Sequence, residues 1–99
     1  MTKARFIAPA QQEFLGAVRF YEGEEAGLGR RLATAVEEAT LLALNFPLAG
    51  TPMQSDMRRV LVRDFPFAVV YRPDDDGIII FAVAHLSRRP GYWNSRTGF

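Results

Sequence analysis

Arg58-Arg-Val-Leu-Val-Arg63, Phe67-Ala-Val-Val-Tyr71-Arg72 and Ile78-Ile-Ile-Phe-Ala-Val-Ala84 are three runs dense in valine, isoleucine, phenylalanine and tyrosine. They are set apart by Asp64-Phe65-Pro66 and by Pro73-Asp-Asp-Asp-Gly77. Such residues fit the pleated surface of a sheet, and connections this short allow only antiparallel neighbours. The stretch therefore predicts a three-stranded antiparallel meander. Strict alternation in the third run would direct Ile78, Ile80 and Ala82 to one face and Ile79, Phe81 and Val83 to the other, so both faces are apolar and both need a cover.

Upstream, the period changes. Arg5-Phe6-Ile7 reads as a brief strand, and Pro9 suits the first turn of a helix. Ala10, Phe14, Ala17, Val18 and Tyr21 then recur at helical spacing up to about Glu25, with Gln11, Glu13, Arg19 and Glu22 directed elsewhere. Gly27 and Gly29 break that stripe, and Leu32, Val36, Ala39, Ala43 and Phe46 form a second one that Pro47 stops. Pro47 to Ser55 has no period and reads as a loop. The predicted order is β-α-α-β-β-β with a short C-terminal tail, an α+β fold in which an N-terminal strand and a helical hairpin pack on a small antiparallel sheet.

The hairpin can cover one sheet face. For the other, the chain offers only Arg88 to Phe99, so that face is closed either by tail and loops or by a partner. Ninety-nine residues form one domain, 1–99, with enough apolar residues (48%) for a single core. Without cysteine there is no disulfide or thiolate site, and with one histidine no metal set; neither cofactor nor metal is expected, and the chain suits a reducing cytoplasm. No apolar run approaches the roughly 20 residues of a membrane span. The net charge is +1, and Lys3 is the only lysine, so the positive charge is almost all arginine, a planar fork suited to carboxylates and phosphates.

Those arginines fall into two groups. Arg58, Arg59 and Arg63 lie on or beside the first meander strand, where parity puts Arg59 and Arg63 on one face with Leu61; Arg88, Arg89 and Arg96 follow the last strand. Meeting across the sheet, they would form a patch able to grip phosphates or an acidic protein segment; alternatively they are a solvated edge neutralised by nearby aspartates. His85, ending the third run, is a candidate general acid or base, with a structural bond to nearby backbone the favoured role. Tyr71 reads as core. Tyr92 and Trp93 read as anchors of the tail against the sheet, with base stacking the alternative. The Asp74-Asp75-Asp76-Gly77 cluster lacks the spacing of a calcium loop and reads as a hairpin turn. No glycine-rich phosphate loop, serine nucleophile elbow or paired-histidine motif occurs, which leaves a binding protein or a compact metal-free nuclease.

The segment Arg59-Val-Leu-Val-Arg63-Asp-Phe65-Pro66-Phe67-Ala-Val-Val-Tyr71-Arg72, with Ile78-Ile-Ile-Phe-Ala-Val-Ala-His85 and Arg88-Arg89-Pro90-Gly-Tyr92-Trp93, resembles the second half of RelE/ParE family toxins. Phe20-Tyr21-Glu22, Gly27-Leu28-Gly29-Arg30-Arg31-Leu32 and Asn45-Phe46-Pro47-Leu48-Ala49-Gly50 resemble the same family's helical hairpin and following loop. The resemblance implies a cognate antitoxin that wraps the toxin and one of two targets, DNA gyrase or the ribosome with its messenger RNA. RelE-like cleavage would call on Arg59, Arg63, His85, Arg88 and Tyr92 as the catalytic set. A ParE-like gyrase inhibitor needs no such set, and Arg58, Arg59, Arg63, Arg88, Arg89, Trp93 and Arg96 would then be partner-binding. The near-neutral, lysine-poor chain departs from what a ribosome-binding nuclease requires and favours the ParE-like implication. A non-toxic scaffold that only binds antitoxin is the remaining class. The antitoxin is expected to lay apolar residues on the open sheet face and acids against the arginines.

Overall fold

The computed structural model describes residues 3–96. The elements are β1 (Lys3–Phe6), α1 (Ala8–Glu24), α2 (Leu28–Asn45), β2 (Thr51–Pro52), β3 (Arg58–Leu61), β4 (Phe67–Asp74), β5 (Gly77–His85) and a 3₁₀ turn (Tyr92–Arg96). The α+β order holds, but the sheet is mixed and five-stranded, in the order β1-β5-β4-β3-β2. The meander is antiparallel as expected. β1 runs parallel to β5, which the helical hairpin makes possible by carrying the chain across between them. β2 falls within the stretch whose sequence reads as loop. It is two residues long and includes Pro52, too short to carry a pattern.

β1 closes against Gly77, which adopts φ 138°, and a Cβ there would collide with the Lys3 carbonyl. In the hairpin turn Gly27 takes φ 89°. The Glu22 carboxylate accepts the Gly27 N–H at 3.0 Å and the Gly29 N–H at 3.0 Å, supplying acceptors that a helix start otherwise lacks. α2 therefore begins at Leu28, with Gly29 inside the helix instead of breaking it.

The hairpin covers one sheet face. Ala10, Leu32, Val36, Val69, Ile78 and Ile80 are fully enclosed there, each large aliphatic contributing about 1.5–3 kcal/mol by burial. Tyr71 belongs to this core, but its hydroxyl also donates to the Pro47 carbonyl at 2.7 Å and accepts the Gly50 N–H at 3.2 Å. Arg58 donates to the carbonyls of Leu48 at 3.0 Å and Gly50 at 2.9 Å, so both residues pin the loop after α2.

The alternation expected in β5 does not run through. Val70 pairs with Ala82 and Tyr71 with Ile80, leaving Phe81 as an extra residue, and such a bulge reverses the facing of everything after it. Ile78, Ile80 and Val83 face the helices, whereas Phe81, Ala82 and Ala84 face away. That far face is not open. Val70, Phe81 and Ala82 are fully buried beneath Met57 and Trp93, and the Arg72 guanidinium lies 4.9 Å over the Phe81 ring. The open sheet face expected to receive an antitoxin is therefore absent, because the chain itself covers it. Residues 97–99 of the expected tail lie outside the described residues.

Candidate functional site

The C-terminal turn is held by a side chain from the opposite end of the sequence. β1 stops bonding to β5 at Ile80, whose carbonyl accepts the Ile7 N–H, and beyond it the Val83 N–H donates at 3.1 Å to Glu13 of α1. The same carboxylate accepts the Tyr92 hydroxyl at 2.7 Å and both terminal nitrogens of Arg96 at 3.0 Å. Arg96 also donates to the Phe81 carbonyl at 2.9 Å. Glu13 and Arg96 are only 18% and 17% exposed, so this is a largely desolvated bidentate pair, with every lone pair of the carboxylate engaged in a strong bond. Burial and the bond to Glu13 hold the Tyr92 phenol well above the ordinary tyrosine pKa. It stays a neutral donor. The bond to Glu13 likewise raises Arg96, which remains a cation.

Next to this clamp stand His85 and Arg88. The Ser87 backbone N–H, which can only donate, reaches His85 Nδ1 at 3.0 Å, with Ser87 Oγ at 2.7 Å from the same nitrogen. The neutral ring therefore carries its proton on Nε2. The ring meets Phe67 edge-on at 5.1 Å, and the Arg88 guanidinium lies 4.1 Å over Tyr92.

The arginine patch does not assemble as expected. Arg59 reaches a small cavity of about 60 Å³ on the far face, shared with His85, Arg88 and Trp93. Arg63 turns instead to α2 and bonds Glu38 at 2.9 Å. Arg58 is spent on the loop carbonyls, Arg96 on Glu13, and Arg89 is exposed. Of the candidate catalytic residues, Arg59, His85 and Arg88 come together. Arg63 is elsewhere, and the Tyr92 hydroxyl is turned to Glu13. Trp93, a candidate partner contact, is buried at 5% exposure. Among the described residues no three histidine or carboxylate side chains converge in a way that would hold a metal, and no helix is long and apolar enough to cross a membrane.

Two surfaces were missed by the sequence reading. Between α1, the ends of β4 and β5 and the tail lies a groove of about 420 Å³, bordered by Gly16, Phe20, Phe67, Val83, His85 and Arg88. At the C-terminal end of α2, Leu41, Leu42, Phe46 and Leu48 are 45–73% exposed. Phe20 and Leu41 lie off the core stripes, which was the available signal. Glu13 had none, since its partners are Val83, Tyr92 and Arg96.

The family model for the ParE toxin of the type II toxin-antitoxin system parDE matches residues 5–90. The chain belongs to the ParE toxin family. Within the RelE/ParE resemblance, the ParE branch is the one that matches. Among solved structures, a chain of the chromosomal ParDE TA system from P. aeruginosa superposes on this ParE-family chain with a TM-score of 0.72 at 15% identity, covering 88% of this chain and 98% of that one. At such identity the likeness concerns the ParE fold alone. A comparison with curated proteins finds no match.

Proposed function

We propose that this ParE-family chain arrests growth by binding DNA gyrase, cuts no RNA itself, and is neutralised by a cognate antitoxin docked on the apolar end of the helical hairpin. The observation that carries the binding reading is the dispersal of the nuclease candidates. Cleavage at a 2′-hydroxyl needs a group to take its proton, a group to steady the phosphorane and a group to protonate the leaving oxygen. Tyr92 is occupied by Glu13 and Arg63 by Glu38. Arg59, His85 and Arg88 meet only at a cavity of about 60 Å³, below the roughly 300–1,000 Å³ of ligand pockets, and the larger groove bordered by His85, Arg88 and Tyr92 does not include Arg59.

For the antitoxin, support comes from α2. Leu41, Leu42, Phe46 and Leu48 present aliphatic and aromatic surface to solvent. An apolar groove of about 220 Å³ bordered by Phe6, Phe14, Val36 and Leu41 runs beside them. The Thr40 hydroxyl on its wall is buried and has no hydrogen-bond partner among the described residues. An amphipathic partner segment fits this surface.

The test is a supercoiling assay with purified gyrase, run beside ribosome-dependent messenger cleavage, both with antitoxin-free protein. Gyrase inhibition without cleavage is the expected result. Codon-bounded cuts without gyrase inhibition would make Arg59, His85 and Arg88 a catalytic set, and inactivity in both assays would leave a scaffold.

A further inference from the structure

Gly16 stands in the middle of α1, where glycine is the least favourable residue short of proline. The fold gives no reason for it. A Cβ built there meets nothing within 4 Å, whereas one at Gly29 would strike the Val18 carbonyl and one at Gly50 would strike Tyr71. Gly23 also has open space but does not border the groove beside α1. Gly16 does: it forms part of the wall of the groove of about 420 Å³. That volume lies within the range of sites that enclose a ligand group. Ala17, Phe67 and Val83 make an apolar floor. Phe20, 61% exposed, stands at one lip, and Arg88 and His85 stand at the other. Glu13 at the back is already neutralised by Arg96, while Arg88 has no carboxylate partner among the described residues.

We propose that this groove is the target-binding site, seating an aromatic side chain of the target protein with a neighbouring carboxylate of that protein on Arg88. The inference rests on the reading of the chain as a gyrase-binding protein. Charge and shape both favour this occupant, because an apolar slot with one free guanidinium at its mouth matches an anchor that is apolar at its tip and acidic beside it. Gly16 keeps the slot open at the expense of helix stability, a cost expected where binding requires the space.

Gly16→Ala and Gly16→Leu separate this role from a structural one, since a structural glycine loses stability on substitution. Gly16→Ala is expected to raise the melting temperature by up to about 4–8 °C, the shift a helix-propensity gain of this kind gives a domain of this size. Gly16→Leu is expected to remain folded, to hold antitoxin within about twofold, and to lose gyrase inhibition by about tenfold or more, as a blocked anchor site does. Arg88→Gln is expected to weaken inhibition by about tenfold, the loss of one charge-assisted contact. A Gly16→Leu protein as inhibitory as wild type overturns the proposal. So does one that loses antitoxin and keeps gyrase inhibition, which would assign the groove to the antitoxin. Wild-type protein that leaves gyrase untouched overturns the reading beneath and the proposal together, and is recognised before any variant is compared.

Discussion

The two faces of the sheet are closed by different means. On the helix side, residues from both helices and four strands interlock around Leu32, Val36, Val69, Ile78 and Ile80, and no single contact holds the layer in place. On the far side the cover is thin. It consists of Met57 with its loop and of Trp93, on a turn that Glu13 ties down through Tyr92 and Arg96. One face is held by redundant packing and the other by a single ionic clamp. The clamp is also what sets Tyr92 and Arg88 beside the groove.

The sharpest way to break this contrast is Trp93→Ala, which removes the largest side chain of the thin layer and exposes Val70 and Phe81. It is expected to cost about 3–5 kcal/mol in denaturant unfolding. A loss below 1 kcal/mol would mean that the far face is closed by something else. Glu13→Gln comes next, leaving Arg96 without its counter-charge. The expected loss is roughly 2–3 kcal/mol, below the 3–5 of a fully buried pair because some water reaches it. Increased amide exchange should be confined to the turn Tyr92–Arg96 and to Val83, and exchange spread evenly through the helices would refute a local clamp.

Tyr92→Phe sharpens the same point through pH. The folded-state pKa of Tyr92 is raised above the ordinary 10.0 by burial and by Glu13, so the folded chain keeps this proton where the unfolded chain has released it. The contribution is therefore complete below pH 10.0 and is lost as pH rises through the folded pKa. Wild type should lose stability more steeply than Tyr92→Phe above that point, and parallel curves would show the phenol to be uncoupled. The smallest effect is expected from Arg63→Ala. Its bond to Glu38 joins side chains 74% and 51% exposed, and such pairs contribute about 0–1 kcal/mol. It should leave gyrase inhibition unchanged, and a marked loss would return Arg63 to the functional surface.

The sequence reading went furthest where structure is local. The valine and isoleucine runs, the helical stripes and the Pro73–Gly77 turn each carry their own signal within a few residues, and the strands and helices formed where those signals lie. The β5 bulge was hidden because Ile78 to Ala84 is apolar throughout, and with no polar residue to mark the phase, an extra Phe81 leaves no trace in the pattern. The arginine patch was misread because parity fixes where a strand residue starts but not where a long side chain ends. Arg63 has left the strand and reaches Glu38, and Arg58 reaches back to loop carbonyls.

By itself, then, the sequence determined the order of the longer elements, the α+β class, the family resemblance and the absence of any cysteine chemistry, all properties of composition and short-range periodicity. Only the tertiary structure decided which sheet face is closed, which arginines are free and that Gly16 lies beside open space on the wall of a groove. Those depend on residues far apart in the chain, and an ion pair such as Glu13 with Arg96 exists only once folding has brought its two ends within hydrogen-bonding distance.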